Sequence, residues 1–300
     1  MAVLRIDRLK AYYITNVYGV KRTVKAVDDA SFNIDKNQIF GIAGESGSGK
    51  STLIKAITRT MRAPLTIQGG NVFLNSGNGI GLDLLAIPAK EFERYRLDVI
   101  SYIPQSSMSV LNPLEKIKNI FEDFISPHRK NFDKAEMAEF IKIHLKNLGL
   151  PVEVLGAYPH ELSGGMKQRI TIAIATILNP TIIVADEPTT ALDVVVQRGV
   201  MQIFKQIKEE KQNTILMVTH DMGVHAYITD RLAVMYAGKI VELGNVDDIY
   251  GSPLHPYTKY LISSLPQVGD KSVRGSVPGT PPDLSNPPEG CRSTSGWRRK

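Results

Sequence analysis

Long apolar runs are missing from this 300-residue chain. The longest stretch near residue 170, "ITIAIATIL", falls far short of the ~18–20 residues that a helix needs to cross a bilayer. The N-terminal "MAVLRIDRLK" has neither an apolar h-region nor a small-residue cleavage site, so no signal peptide is expected. Cysteine occurs once, at Cys291, which excludes an internal disulfide and agrees with a reducing compartment. These absences predict a soluble, cytosolic protein. A basic face is missing as well, although the net charge is +6. Residues 271–300 hold Lys271, Arg274, Arg292, Arg298, Arg299 and Lys300 against Asp283 and Glu289, so this stretch alone supplies +4 and the remainder is nearly balanced. That distribution is only weak support for nucleic-acid binding, and a solvated basic tail is the better reading. There is no internal repeat and no heptad run.

What is present is enough apolar material, 43% of residues, for one large domain or two small ones. Residues 3–42 read as strands with polar connections: "SFNID" alternates and "IFGIAG" is a short buried run. From about 115 to 150 the pattern turns helical ("FEDFI", "AEMAEFIKIHLKNLGL") until Pro151 ends it. "TIIVADEP" (181–188) and "TILMVTHD" (214–221) are further buried strands, with the amphipathic helix "RGVMQIFKQIKEEK" between them. This alternation predicts an α/β fold with a mainly parallel central sheet. Residues 251–300 carry 8 of the 17 prolines and are expected to begin with some order and fray toward the end.

The stretch "GESGSGKST" (44–52) follows the run Ile39-Phe40-Gly41-Ile42-Ala43 and precedes "LIKAITRTM", whose apolar residues have helical spacing. A linker would not be flanked so tightly by buried elements. Gly44-x-x-x-x-Gly49-Lys50-Ser51 fits the P-loop pattern, in which glycines let successive N–H groups point at phosphate oxygens in front of a helix start. Lys50 would reach the β- and γ-phosphates and the Ser51 hydroxyl would ligate Mg²⁺. The bland competitor is a glycine-rich turn, which the flanking strand and helix disfavour.

Asp186 and Glu187 close the apolar strand "IIVAD", where a carboxylate is costly unless it faces a cation or water. Asp186 suits Mg²⁺ through a water, and Glu187 suits a general base. The competing reading is an acidic helix N-cap, since "DEP" resembles a helix start. In "LSGGMKQR" (162–169), Ser163 is placed as an N-cap and Gly164-Gly165 permit close backbone approach ahead of an apolar helix. A second anion-ready helix start points to a nucleotide held by a partner. A well-capped core helix would explain Ser163 but not both glycines.

With these motifs the sequence resembles the ATPase subunits of ABC transporters, through residues 1 to about 290. The resemblance is carried in order by Gly44–Thr52, Gln105 in "YIPQ", "LSGGM", "IIVADE", "TTALD" ending at Asp193, and His220 in "VTHD". It implies a P-loop NTPase fold, with a RecA-like core containing an N-terminal antiparallel β part at 1–95 and 178–250. A helical subdomain at 96–177 completes a nucleotide-binding domain of 1–250, followed by an irregular C-terminal extension at 251–300. By resemblance, the nucleotide-binding residues are Gly44, Glu45, Ser46, Gly47, Ser48, Gly49, Lys50, Ser51 and Thr52. Ser51, Gln105 and Asp186 serve the metal, and Glu187, His220 and Lys50 are catalytic. Ser163, Gly164, Gly165 and Asp193 reach the partner's nucleotide across an ATP-sandwich dimer. His220 stands just after "ILMVT", at a strand end where ligand-facing residues of α/β sheets collect. Other histidines, such as His128 and His144, look like ordinary surface or helix residues. For the aromatic that stacks on adenine, "RLKAYY" favours Tyr13, with Tyr12 and Tyr18 as competitors.

Further stretches look like the oligopeptide/dipeptide import branch: "SMSVLNP", "HELSGGMKQR", "DEPTTALDVVVQ", "RLAVMYAGKIVE", "HPYTKYLISSLP" and "PGTPPDLSNPPEGC". The implied partners are two transmembrane permease subunits, a second related ATPase subunit or another copy of this chain, and indirectly a substrate-binding protein, at the cytoplasmic face of the membrane. Importers of oligosaccharides or nickel in the same branch are the alternative. A soluble ABC-type ATPase acting on nucleic acid or ribosomes would be expected to carry coiled-coil insertions or two cassettes. A P-loop kinase leaves "LSGGM" and His220 without a role. Members of the branch often hold an iron–sulfur cluster through four cysteines after "PEGC". Here "RSTSGWRRK" follows Cys291, so no iron–sulfur cluster, an unbridged Cys291 thiol and a mobile basic tail are expected.

Overall fold

A computed structural model describes residues 2–75, 81–105, 110–265 and 280–293. Residues 107–109 of "SMSVLNP" and the tail beyond Ser293 lie outside them. The chain forms two compact units, one of Met1–Ile87 with Leu216–Lys300 and one of Pro88–Ile215.

The first unit opens with two long strands, β1 (Ala2–Val17) and β2 (Val20–Asp35), paired antiparallel from Ala2↔Asp35 to Val17↔Val20. Tyr18 and Gly19 join them with φ of 51° and 78°, the paired left-handed residues that a twisted two-residue hairpin requires. The face carrying Leu4, Ile6, Leu9 and Ala11 of β1 and Val27, Ala30, Phe32 and Ile34 of β2 is buried. Next come β3 (Ile39–Ala43), buried at every position, and α1 (Lys50–Ile57). β4 (Leu65–Leu74) and β5 (Leu82–Asp83) complete an antiparallel sheet of order β2-β1-β4-β5.

The second unit contains α2 (Ala89–Phe92), β6 (Ile100–Ile103), α3 (Ile117–Ile125), α4 (Lys134–Asn147), α5 (Gly164–Thr176), β7 (Ile182–Asp186) and α6 (Val194–Lys211). β6 and β7 run parallel, with Ile100 opposite Ile182 and Ile103 opposite Ala185. Helix α4 begins where the sequence supplies a capping box. Asp133 accepts from Ala135 N and Glu136 N, and Glu136 accepts from the Asp133 N–H. β8 (Thr214–Val218) follows, and the division between the units falls within it.

The chain then completes the first unit with α7 (Met222–Ile228), β9 (Arg231–Tyr236), β10 (Lys239–Asn245), α8 (Val246–Gly251) and α9 (Pro256–Ser263). β9 runs parallel to β3, pairing Phe40 with Arg231 and Ala43 with Val234, and β10 returns antiparallel on its other side. Ala43, Met222, Leu232, Val234, Tyr236, Ala237, Ile249 and Tyr257 form one buried cluster, with Leu261, Ile262 and Leu284 packed against it. The C-terminal segment is therefore anchored by core packing, at ~1.5–3 kcal/mol for each large side chain fully buried.

That segment corrects the expectation of a solvated basic tail at Arg292. The Arg292 side chain is 5% exposed, pairs with Asp28 and donates to the Ala237 carbonyl. Neutralisation by a carboxylate next to a backbone acceptor makes its burial tolerable. Upstream, Lys25 N donates to Leu284 O at 2.9 Å, and Arg22 meets Asp283 and Ser285. The expectation for residues 294–300 lies outside the described residues.

Candidate functional site

In the first unit the sequence from β3 to α1 builds a tight loop. Gly44, Gly47 and Gly49 take φ of 144°, 79° and 109°, a region that L side chains rarely adopt. A Cβ on Gly44 would lie 2.1 Å from Met235 O, and one on Gly49 would lie 2.1 Å from Ala26 O. The loop is thus pressed against main chain on two sides, and only glycine fits. Among the described residues no side chain caps α1 at Gly49. Its first-turn N–H groups and the helix dipole suit an anion at that point. Lys50 is buried at 6% exposure and donates to Gly44 O at 2.6 Å and Glu45 O at 2.8 Å, which lays its ammonium over the loop. Burial raises the Glu45 pKa, against the opposing charge of Lys50.

The three candidate tyrosines separate. The Tyr13 hydroxyl lies 3.2 Å from Thr52 Oγ1, at the start of α1. Tyr12 donates to Asp28 at 2.5 Å, and Tyr18 sits fully exposed at the hairpin turn. His220 stands on an exposed bend directly after Thr219. Its neighbour Asp221 fixes the backbone there, accepting from Gly223 N at 2.8 Å and donating its own N–H to Thr219 Oγ1 at 3.0 Å.

In the second unit Asp186 ends β7 at 1% exposure, hydrogen-bonded to the Tyr102 phenol of β6. Burial first, then the Asp186 charge and hydrogen bond, raise the Tyr102 pKa well above the ordinary phenol value. Glu187 follows with φ 49°, a strained conformation for a residue with a side chain. Its Oε2 accepts from Gln105 Nε2 at 3.2 Å and Thr190 Oγ1 at 2.8 Å. The helix-start alternative for "DEP" fails because Glu187 is a bend, residues 188–191 are turns, and the next helix, α6, begins only at Val194. The N-cap is Asp193, which accepts from Val195 N at 3.0 Å and Val196 N at 2.9 Å. Ser163 caps α5 through Met166 N at 3.3 Å, as its position in the sequence implies. Close packing also disfavours a side chain at Gly165, since a Cβ there would meet Val196 Cγ1 at 2.6 Å.

The structure thus brings Lys50 to Gly44 and Glu45, Tyr13 to Thr52, and Gln105 to Glu187. Sequence reasoning missed several neighbours. Tyr257 Oη accepts from Glu45 N at 3.0 Å, although "HPYTKY" marked that segment for other reasons. Tyr102 and Thr190 carried no signal of their own. His225 is wholly buried on α7, 3.2 Å from Thr219 O, and its ring leaves no room for a side chain at Gly41. Burial, outweighing that carbonyl, lowers its pKa to about 4. His144 is a helix residue as expected, yet it is held at Ala173 O (2.9 Å) and also lowered to about 4 by burial.

A glycine loop between a buried parallel strand and a helix, with a lysine folded over it, defines a P-loop nucleotide-binding protein. The chain belongs to the ABC transporter family, whose sequence pattern it matches over residues 27–190. Residues 241–293 match the C-terminal region of oligopeptide/dipeptide transporters. The chain is 39% identical to the dipeptide transport ATP-binding protein DppD of Caldanaerobacter subterraneus, covering 97% of this chain and 87% of that protein. It is 39% identical to the oligopeptide transport ATP-binding protein OppD of Bacillus subtilis, covering 89% and 74%. Among solved structures, a dimeric ATP-binding cassette in a post-hydrolysis state with ADP and Pi is similar at 26% identity and a TM-score of 0.69, over 81% of this chain and 98% of that one. The protein is an ABC-type ATPase. Among its described residues no helix is long and apolar enough to cross a membrane.

Proposed function

We propose that this chain is the ATP-hydrolysing subunit of an ABC importer for oligopeptides or dipeptides, acting at the cytoplasmic face of the membrane through an ATP-sandwich dimer. The observation that carries the cargo class is the match of residues 241–293 to the oligopeptide/dipeptide transporter C-terminal region, in the same chain as the cassette. The partners are two permease subunits and a second ATPase, either related or another copy, with a substrate-binding protein acting indirectly.

In this reading the loop Gly44–Thr52 holds the phosphates of ATP and Tyr13 stacks on adenine. Lys50 carries positive charge to the β- and γ-phosphates, where charge stabilisation lowers the barrier most. Ser51, Asp186 and Gln105 offer a hydroxyl, a buried carboxylate and an amide, a hard oxygen set that suits Mg²⁺. That ion, when bound, neutralises phosphate charge. Glu187 takes the proton of the attacking water. Hydrogen bonds from Gln105 and Thr190 to one carboxylate oxygen restrict its orientation. His220 contacts the γ-phosphate and that water. Ser163, Gly164, Gly165 and Asp193 serve the nucleotide of the partner, so the γ-phosphate links two chains until hydrolysis.

The test is reconstitution of the chain with its permease and ATPase partners in liposomes, following uptake of labelled di- and oligopeptides. Uptake should require ATP and vanish with Glu187→Gln. Peptides that neither enter nor raise hydrolysis, while nickel or an oligosaccharide does, would reassign the cargo.

A further inference from the structure

We propose that Tyr257 is a positioning residue for the phosphate-binding loop, through which the C-terminal segment sets the shape of the loop before ATP arrives. The inference rests on reading Gly44–Thr52 as the ATP site. Its basis is a pair of contacts on either side of one residue. The Glu45 N–H donates to Tyr257 Oη at 3.0 Å, and the Glu45 carbonyl accepts from Lys50 Nζ at 2.8 Å. One side chain from α9 and one from α1 therefore fix the direction of the chain where it enters the loop.

Tyr257 is held firmly enough for this. It is fully buried, its ring lies 4.5 Å from that of Tyr236, and its cluster includes Ala43, the residue before the loop. Its backbone N–H donates to His255 Nδ1 at 3.1 Å, while Leu254 N and His255 N donate to the Glu242 carboxylate of β10 at 2.7 and 2.9 Å. Burial keeps the phenol pKa well above its ordinary value, so the group stays neutral across the working range. Without the acceptor, the part-buried Glu45 N–H loses this partner and the loop entrance gains freedom. Binding ATP must then order what was ordered beforehand, and affinity falls by that cost.

Tyr257→Phe keeps the ring and removes the acceptor. On the full chain we would titrate MgATP with a fluorescent ATP analogue as reporter, melt the protein, and follow amide exchange at Glu45. Tyr236→Phe, which removes a hydroxyl from the same cluster, and Lys50→Ala serve as controls. The expected result is a Kd raised about three- to tenfold in Tyr257→Phe, with faster exchange at Glu45 and little change in melting. Tyr236→Phe should keep the wild-type affinity. Wild-type Kd and exchange in Tyr257→Phe would overturn the proposal, as would equal losses in both tyrosine variants. If Lys50→Ala also binds as wild type, the ATP site itself is misassigned; if only Lys50→Ala is impaired, the role of Tyr257 alone falls.

Discussion

Replacing Arg292 with methionine tests whether the C-terminal segment is structural. Methionine keeps much of the aliphatic volume and removes the guanidinium, which pairs with Asp28 Oδ2 and donates to Ala237 O. The two side chains are 5% and 15% exposed. Removing one partner of a buried pair costs about 3–5 kcal/mol, because the other charge stays behind uncompensated. Here Asp28 keeps the Tyr12 hydrogen bond at 2.5 Å and a little exposure, so about 2–3 kcal/mol is expected. For a domain of this size that is a fall in Tm of about 4–10 °C. The pH dependence has a definite sign. Burial raises the Asp28 pKa, but the Tyr12 hydrogen bond and the Arg292 charge outweigh it and hold the carboxyl below its ordinary value. A depressed carboxylate contributes its stability above the unfolded pKa and loses it as pH falls through the folded one. The gap between wild type and Arg292→Met should therefore be full at neutral pH and close only below the ordinary aspartate pKa of ~3.9. Adding Asp28→Asn to Arg292→Met should recover part of the loss, since no charge is then left unpaired. Calorimetry across pH measures all of this. An Arg292→Met protein melting within about 1 °C of wild type at neutral pH would refute the reasoning.

Three more outcomes are expected. Lys50→Ala should weaken both ATP binding and turnover, measured by titration and phosphate release, because it removes charge from the phosphate site. His225 is buried neutral, with its pKa lowered from 6.5 to about 4. Its contribution is full above the unfolded value and is lost as pH falls through that window, so His225→Leu should reduce the slope of stability against pH between 6.5 and 4, measured by urea titration. Specific hydrolysis should rise with protein concentration or need the partner ATPase; full activity from a monomer at high dilution would contradict the two-chain reading.

The glycine loop ahead of α1 was legible because its signal is local. Glycines at fixed spacing between a buried strand and a helix leave few alternatives, and Gly44 and Gly49 show the backbone contacts that demand them. Ser163 was legible for the same reason, as a capping residue directly before an apolar helix. Arg292 and Tyr257 were not. Their partners Asp28 and Glu45 lie 264 and 212 positions away in sequence, so nothing in the local pattern distinguishes a basic tail from a buried pair, or a strand-packing tyrosine from one that holds a loop. His225 was hidden by its helix, where one histidine among apolar neighbours does not disclose which face turns inward.

The most direct measurement of the central claim is ATP binding and turnover by Glu187→Gln within the assembled transporter. The substitution removes the basic oxygen while leaving a side chain that Gln105 and Thr190 can still reach. The account predicts wild-type affinity for MgATP and a loss of about 10²–10⁴-fold in hydrolysis. Turnover near the wild-type rate would contradict it.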